Sequence, residues 1–270
     1  MSLIGEERKR KIIGILDIQE KVTVRYLSEQ LQVTTETVRK YLEELEAEKK
    51  LKKVYGGAIR TPEEFEEPSY LKREILHYEE KQRIGKAAAE FVQDNDVIAL
   101  DEGSTVLQMI RHLVHKRNLT VCTNSFPVAA LISEYANRQP FFGKVIFLGG
   151  TVSLKHMRVT GPLSEQMMSS FYVDKAFISV DGISLMHGLT SLDADRGTLS
   201  IRMKEQAKQA YVLADHSKFE ARGMYRMAEL DASLAIVSDR EAPEDWRAAL
   251  SARGVEWVAA AESAREPAQS

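Results

Sequence analysis

The chain is poor in the residues that staple small folds together and in the runs that cross membranes. Cys122 is the only cysteine among 270 residues, so no intramolecular disulfide can form and CxxC-type zinc sites are excluded. It sits in the run 120–123, where a small buried hydrophobe is its expected role. No stretch approaches the roughly 20 consecutive apolar residues that a bilayer span needs. Residues 1–11 are charged, unlike the apolar region of a secretory leader. These absences predict a cytoplasmic protein with no membrane partner. No HExxH motif occurs, and His187 and His216 lack the spacing of a metal cluster, so neither a metal nor a cofactor is expected. No fixed-period repeat is present either, which excludes solenoids.

What is present is an ordinary globular mixture, 44% hydrophobic and 29% charged, enough for a sizeable core and too apolar for extended disorder. At roughly 100 to 200 residues per domain, the length predicts one large domain with a smaller companion. Charge divides them. Residues 1–60 hold 13 Lys or Arg against 10 Asp or Glu, and the remainder hold 24 against 30. A mildly basic head on an acidic body raises the question of a nucleic-acid partner without answering it.

Along the head, Ile12, Ile13 and Leu16 follow Glu6 and Glu7 at helical spacing, with the acids where a helix start favours them. Val24, Leu27 and Leu31 repeat at i, i+3 and i+7 for a short second helix. Residues 32–34 form a turn short enough to make the next helix cross it. Thr34 is a candidate N-cap for a third helix that turns Val38, Leu42 and Leu45 inward. Its opposite face presents Thr35, Glu36, Arg39 and Lys40, with Thr37 at the edge. Arg and Lys can fork onto guanine or meet phosphate, Thr can reach base edges, and a recognition helix works with its N-terminal turns. Residues 51–54 and 58–60 then flank Tyr55, Gly56 and Gly57 as a candidate wing. On it Lys52, Lys53 and Arg60 would neutralise phosphates, and Tyr55 stands at the turn. Helix, short turn, second helix and basic hairpin within about 60 residues predict a winged helix-turn-helix. Residues 61–80, with two prolines and an acidic cluster, predict a linker.

Beyond residue 80, helical segments alternate with apolar runs at 97–100, 121–123, 145–148, 176–180, 211–213, 234–237 and 256–258. That alternation predicts an α/β domain over 81–258 with a mainly parallel sheet covered on both faces. Residues 259–270 predict a frayed tail. Asp101, Gly103, Ser104 and Thr105 follow a strand and open a helix, where free N–H groups, the dipole and two hydroxyls favour an anion. Thr123, Asn124 and Ser125 end a second strand, and Gly149 and Gly150 a third. Each loop alone is ordinary turn chemistry. Three at one sheet edge predict a polar pocket. Asp181 with Gly182, and Lys218, end two further strands. The aspartates could accept sugar hydroxyls, and Lys218 is either a phosphate or carboxylate partner or a solvated surface lysine.

Residues 6–60 resemble the DeoR-type helix-turn-helix of bacterial sugar-metabolism regulators, through Arg10, Val24, Leu27, Leu31, Val33, 37–40, Leu42, Leu45, Leu51 and 56–58. Tyr41 stands where that family usually has Asp, and Tyr55 where it usually has His. Tyr41 could stack, donate its hydroxyl to phosphate, or pack against the wing. Residues 80–239 resemble the DeoR-type effector domain, related in fold to ribose-5-phosphate isomerases. The resembling segments are 100–105, 123–125, 148–150, 174–182, 188–190 and 213–219. The resemblance implies a sugar-phosphate effector, with Asp101, Ser104, Thr105, Thr123, Asn124, Ser125, Gly149, Gly150, Gly182 and Lys218 matching the pocket. Another departure falls at 193–197, and Ser200 occupies about the place of a family lysine.

These readings predict a sequence-specific transcriptional regulator, a repressor by family habit, whose affinity for a double-stranded DNA operator responds to a phosphorylated sugar. A homo-oligomer, dimer or tetramer, is expected because one recognition helix reads few base pairs and half-sites lie about 34 to 36 Å apart. An isomerase with an attached head is the competing reading. It lacks support where Met186, His187 and Gly188 follow Asp181 and Gly182 with no lysine. An RNA-binding or scaffold role lacks the aromatic strand motifs of single-strand readers.

Overall fold

The computed structural model describes residues 3–19, 21–48, 50–59, 67–138 and 143–260. They fall into two compact units, Met1–Glu66 and Glu67–Ser270.

The first unit comprises α1 (Leu3–Gln19), β1 (Lys21–Thr23), α2 (Val24–Leu31), α3 (Thr35–Ala47), β2 (Lys52–Val54) and β3 (Gly57–Ile59). Side-chain caps set the two central helices. The Thr23 hydroxyl accepts from the Tyr26 N–H, and the Thr34 hydroxyl accepts from the Thr37 N–H at 3.2 Å. Gln32, at φ +53°, ends α2 in the left-handed region. The inward stripes close one core of Ile12, Leu16, Val22, Leu27, Leu31, Val38, Leu42, Leu45, Leu51 and Ala58. Each fully buried Leu or Ile there contributes roughly 1.5–3 kcal/mol.

Two details depart from the sequence reading. Residues 21–23 supply an extra strand, giving a sheet of order β1-β3-β2, antiparallel throughout. The turn of the hairpin is Tyr55 and Gly56 alone, with Gly56 at φ +78°. Gly57 belongs to β3, where a Cβ would lie 1.9 Å from the Val22 carbonyl oxygen. Glycine is needed there because β1 comes so close.

The second unit begins with α4 (Tyr70–Ile75), α5 (Tyr78–Glu90), β4 (Val97–Leu100), α6 (Ser104–Leu107), α7 (Ile110–Leu113), β5 (Leu119–Thr123), α8 (Phe126–Arg138) and β6 (Gly143–Phe147). It continues through β7 (Thr151–Ser153), β8 (Arg158–Thr160), α9 (Pro162–Met168), β9 (Val173–Ser179), β10 (Gly182–Ser184), β11 (Gly188–Ser191), α10 (Ala194–Glu205) and β12 (Ala207–Leu213). The last elements are a 3-10 turn (His216–Lys218), β13 (Tyr225–Ala228), β14 (Leu234–Ser238), α11 (Glu244–Ala252) and β15 (Glu256–Ala259).

All seven apolar runs read from the sequence enter one parallel sheet of order β15-β14-β12-β9-β4-β5-β6. Strand residues alternate between its faces, so Ala99, Cys122, Ile178 and Val212 pack with Leu199, Met203 and Trp246 on one side. Ile98, Leu100, Val121, Phe177 and Tyr211 pack with Ile84, Ile110 and Val128 on the other. Cys122 is fully buried in this core, and burial pushes its thiol up to about 11.

The chain runs outward from β4 through β5 to β6, then returns to β4's other side at β9 before running outward again through β12, β14 and β15. The order therefore reverses between β4 and β9. Small sheets, β7-β8 and β10-β11-β13, grow from the loops that leave the carboxyl ends of β6, β9 and β12.

The linker reading is corrected in part. Residues 67–80 are folded into the second unit: Glu67 and Tyr70 are buried, and 70–75 and 78–80 are helical. Prolines and acids looked like a spacer, yet Glu67 is drawn inward by nearby Arg73 and by Arg158, far along the chain. At the other end Ala259 belongs to β15, and the Ala260 N–H donates to the Ser238 carbonyl at 2.7 Å, so the expected tail starts too early. Residues 61–66 and 261–270 lie outside the described residues.

Candidate functional sites

On the head, burial of Val38, Leu42 and Leu45 turns the opposite face of α3 outward. Thr35, Glu36, Arg39 and Lys40 are exposed, and Thr37 is half-buried beside Thr34. Among the described residues, neither Arg39 nor Lys40 forms an ion pair. Lys52 is exposed, and Tyr55 stands fully exposed at the hairpin tip. Lys53 differs from expectation. It is half-buried, its Nζ lies 2.9 Å from Glu43 Oε1, and its N–H donates to Glu46 Oε1 at 2.7 Å. Its charge is spent bracing the hairpin against α3 rather than held free for phosphate. Arg60 lies outside the described residues. Tyr41 is half-buried, with its ring 3.9 Å from where a Cβ on Gly5 would stand. It packs against the head core, with Gly5 of α1 among its neighbours. Nearby, buried Lys9 pairs with Glu6 on its own helix (2.7 Å) and ties α1 to α3 and its C-cap through Glu44 (3.2 Å) and Glu48 (3.4 Å).

On the body, parallel strands β12, β9, β4, β5 and β6 end side by side, so the loops carrying Lys218, Asp181 and Gly182, 101–105, 123–125 and Gly149 and Gly150 share one sheet edge. The reversal between β4 and β9 opens the crevice where ligands of such sheets bind. Several predicted residues hold that edge together. Asp101, 1% exposed, accepts from the N–H groups of Ser179 (2.6 Å) and Gly103 (2.9 Å), from the Ser179 hydroxyl, and from Ser200 Oγ at 3.3 Å. Burial pushes its carboxyl up. Asp101 thus clamps β4 to β9 instead of offering itself to sugar hydroxyls. Gly103 allows that clamp, since a Cβ there would lie 2.3 Å from Ser179 Oγ.

Ser104 and Thr105 are buried, and Ser104 Oγ donates to the Arg73 carbonyl. The helix they open is a single turn, so the expected dipole is short. Its first bond runs from the Leu107 N–H to the Gly103 carbonyl, which leaves the amides of 104–106 without an intrahelical acceptor. Thr123 Oγ1 accepts from the Ser125 N–H, Asn124 donates to the Val159 carbonyl (2.8 Å), and Ser125 caps α8 through the Val128 N–H. Gly149 and Gly150 are exposed. Gly182 is buried in β10, and half-buried Asp181 is ion-paired to Arg196. Lys218 is half-buried, close enough for its charge to pull both Asp181 and Asp215 down.

The sequence reading missed the strongest electrostatic feature of this edge. Glu102, next to Asp101 and 1% exposed, meets Arg73 at 2.7 Å, Arg158 at 3.2 Å and Arg196 at 2.5 Å. Glu67 adds contacts to Arg158 (2.6 Å) and Arg73 (3.2 Å), and Arg196 also pairs with Asp181 and donates to Ser179 Oγ at 2.9 Å. Burial pushes the Glu102 carboxyl up, but Arg73, Arg196 and Arg158 outweigh it and hold it far below the usual carboxylate range. Burial likewise opposes the charge of Arg196, and Asp181 and Glu102 overcome it. Buried polar atoms without hydrogen-bond partners gather here as well: Glu67 Oε2, Arg73 Nε, Arg158 Nε and Asn124 Oδ1. Unpaired buried polar atoms at one sheet edge call for an explanation, of which a bound polar ligand, water and strain are the usual ones. The only sequence signal was Glu102 itself, an acid beside an acid at the end of an apolar strand.

Family models cover both units. Residues 8–64 match the DeoR-like helix-turn-helix domain, and residues 76–240 match the DeoR C-terminal sensor domain. The chain belongs to the DeoR family. It is 34% identical over 251 residues to the HTH-type transcriptional repressor GlcR of Bacillus subtilis, covering 93% of this chain and 95% of that one. To the HTH-type transcriptional regulator GolR of Listeria innocua it is 32% identical over 212 residues, covering 78% and 82%. Among solved structures, ribose 5-phosphate isomerase A of Methanocaldococcus jannaschii aligns with 53% of this chain and 55% of that one, at 21% identity and a TM-score of 0.38. The full-length sorbitol operon regulator SorC of Klebsiella pneumoniae aligns with 78% and 90%, at 12% identity and a TM-score of 0.34. As a DeoR-family member, the protein is a DNA-binding transcriptional regulator with a sensor domain, not an enzyme. Among the described residues, no helix is long and apolar enough to cross a membrane.

Proposed function

We propose that this DeoR-family regulator represses a carbohydrate operon and is controlled by a phosphorylated sugar at the carboxyl edge of the parallel sheet. The observation that carries this reading is the meeting of five strand-end loops at one edge, beside the β4/β9 reversal, with orphaned buried polar atoms among them. In this reading the free amides of 104–106, the Thr105 hydroxyl, the amides of Gly149 and Gly150, and Lys218 receive the phosphate, while the Ser104 hydroxyl holds the Arg73 carbonyl behind them. Asn124, Asp181 and the arginine-bound carboxylates face the sugar. Every one of the three buried guanidiniums already touches a carboxylate, so an anionic effector competes with Glu102 or Asp181 rather than entering an empty cationic hole. Differential affinity of the effector for two states of the sensor domain is what would alter DNA binding. On the head, Thr35, Glu36, Thr37, Arg39 and Lys40 read the major groove, Lys52 and Tyr55 meet the backbone, and a homo-oligomer presents paired heads to two half-sites.

Thermal-shift measurements of the full chain against phosphorylated and unphosphorylated sugars test the pocket. A ligand that binds only the folded state at 100 times its Kd adds about 2.7 kcal/mol. The shift should appear with one phosphorylated sugar, be lost in Ser104→Ala, and coincide with a change in operator affinity measured by fluorescence anisotropy. No shift with any phosphorylated sugar, or a shift that leaves operator affinity untouched, would sink the reading.

A further inference from the structure

At the same sheet edge, the end of β12 and the start of α5 bring together His77, Asp215 and His216, whose potential ligand atoms all lie within 4.8 Å of one another. We propose that these three side chains form a binding site for a divalent transition-metal ion of the imidazole-preferring class, with Zn2+ as its simplest probe. The site shares its loop with Lys218, and the proposal rests on the three ligand side chains rather than on the identity of the effector.

The geometry is that of a site with an oriented ligand. The His216 N–H donates to Asp239 Oδ1 at 2.8 Å, and His216 Nδ1 lies 2.8 Å from Asp239 Oδ2. A buried carboxylate at Nδ1 places the proton there and leaves the Nε2 lone pair for a metal, the carboxylate–histidine arrangement that supports zinc-bound imidazoles. Asp215 is buried, and its Oδ1 accepts from the Ser217 N–H and hydroxyl, which fixes the carboxylate and leaves Oδ2 available. His77 immediately precedes α5, its backbone at φ +53° and its side chain not capping the helix. Its ring meets that of His216 at 5.1 Å between centroids and 76° between planes. Two imidazoles on a tetrahedral ion at about 2.0–2.1 Å put their centroids roughly 5 Å apart. His77 is exposed, so it is the side chain able to close the remaining gap.

Three protein ligands leave at least one position open, the pattern of exchangeable rather than closed structural zinc. Lys81 and Lys218 lie within electrostatic reach of Asp215 and oppose a cation, while Asp215 and Asp239 offset them. An affinity below that of a four-ligand thiolate site follows. Because His77 and His216 belong to segments far apart in the chain, a bound ion would tie the start of α5 to the loop after β12.

Chelator-treated full-length protein titrated with zinc chloride by isothermal calorimetry decides the matter. One ion per chain is expected, with Co2+ giving visible d–d bands and excess Mg2+ failing to compete. His77→Ala and His216→Ala should each weaken zinc binding at least tenfold and abolish the zinc-dependent rise in melting temperature. Asp239→Asn should weaken it about 10- to 100-fold. If His216→Ala fails to fold, the exposed His77→Ala still decides. Wild-type protein that takes up no zinc saturably, or His77→Ala binding as tightly as wild type, would overturn the proposal.

Discussion

The two units hold positive charge in opposite ways. On α3, Arg39 and Lys40 are exposed, with no carboxylate partner among the described residues. In the body, Arg73, Arg158 and Arg196 are buried against Glu67, Glu102 and Asp181. An exposed cation keeps its hydration and stays free for a phosphate or a base edge. A buried one has lost that hydration and persists only while its carboxylates remain. The head's cations should therefore be removable without harm to the fold, and the body's should not.

The contrast can be broken first at Glu102. Glu102→Gln leaves three buried guanidiniums short of one negative charge, and stability measured by urea denaturation should fall by about 3–5 kcal/mol. A loss under 1 kcal/mol would mean that the cluster is more solvated than its burial indicates. Acid should act on the same group. Glu102 is held far below the usual carboxylate range, so its stabilising contribution is complete above the unfolded-state value of about 4.3 and is lost as pH falls below it. Asp101, pushed up by burial, works in the opposite sense and is favoured as its proton binds. With Asp181 also held low, two groups oppose one, so melting temperature followed by circular dichroism should drop between about pH 5 and pH 3. The drop should be shallower in Glu102→Gln. An acid limb identical in both proteins would locate the sensitivity elsewhere.

On the head, Arg39→Ala should weaken operator binding by about 1–3 kcal/mol with relaxed base choice at one position. Stability should move less than about 0.5 kcal/mol. Equal weakening on every duplex would reassign Arg39 to phosphate. Thr34→Ala removes the α3 cap and should cost about 1 kcal/mol in thermal unfolding of the head. The smallest effect belongs to Lys52→Ala, which should lower the slope of log affinity against log salt by about one, whereas Lys53→Ala, already paired with Glu43, should change it less. Equal slopes for the two lysine variants would remove the distinction drawn between them.

Periodicity carried the architecture well because it reports local requirements. Val38, Leu42 and Leu45 each sit inward for the reason their spacing gives, and all seven apolar runs became strands of one sheet. Thr34 capped the helix it preceded. Readings failed where a residue's role depends on a distant partner. Lys53 looked like a free cation until Glu43 was beside it. Asp101 looked like a sugar acceptor until Ser179 and Ser200 claimed its oxygens. Residues 67–80 looked like a spacer because nothing local reveals that Glu67 meets Arg158.

By itself the sequence determined a basic helical head, a parallel α/β body and the loops at its strand ends, because hydrophobic period, turn residues and capping act within a few positions. Only the tertiary structure decided that Glu102 is buried among three arginines and that His77 faces Asp215 and His216. Such meetings depend on strand order and helix placement, which bring charges together across dozens of residues and set the desolvation that gives each contact its strength.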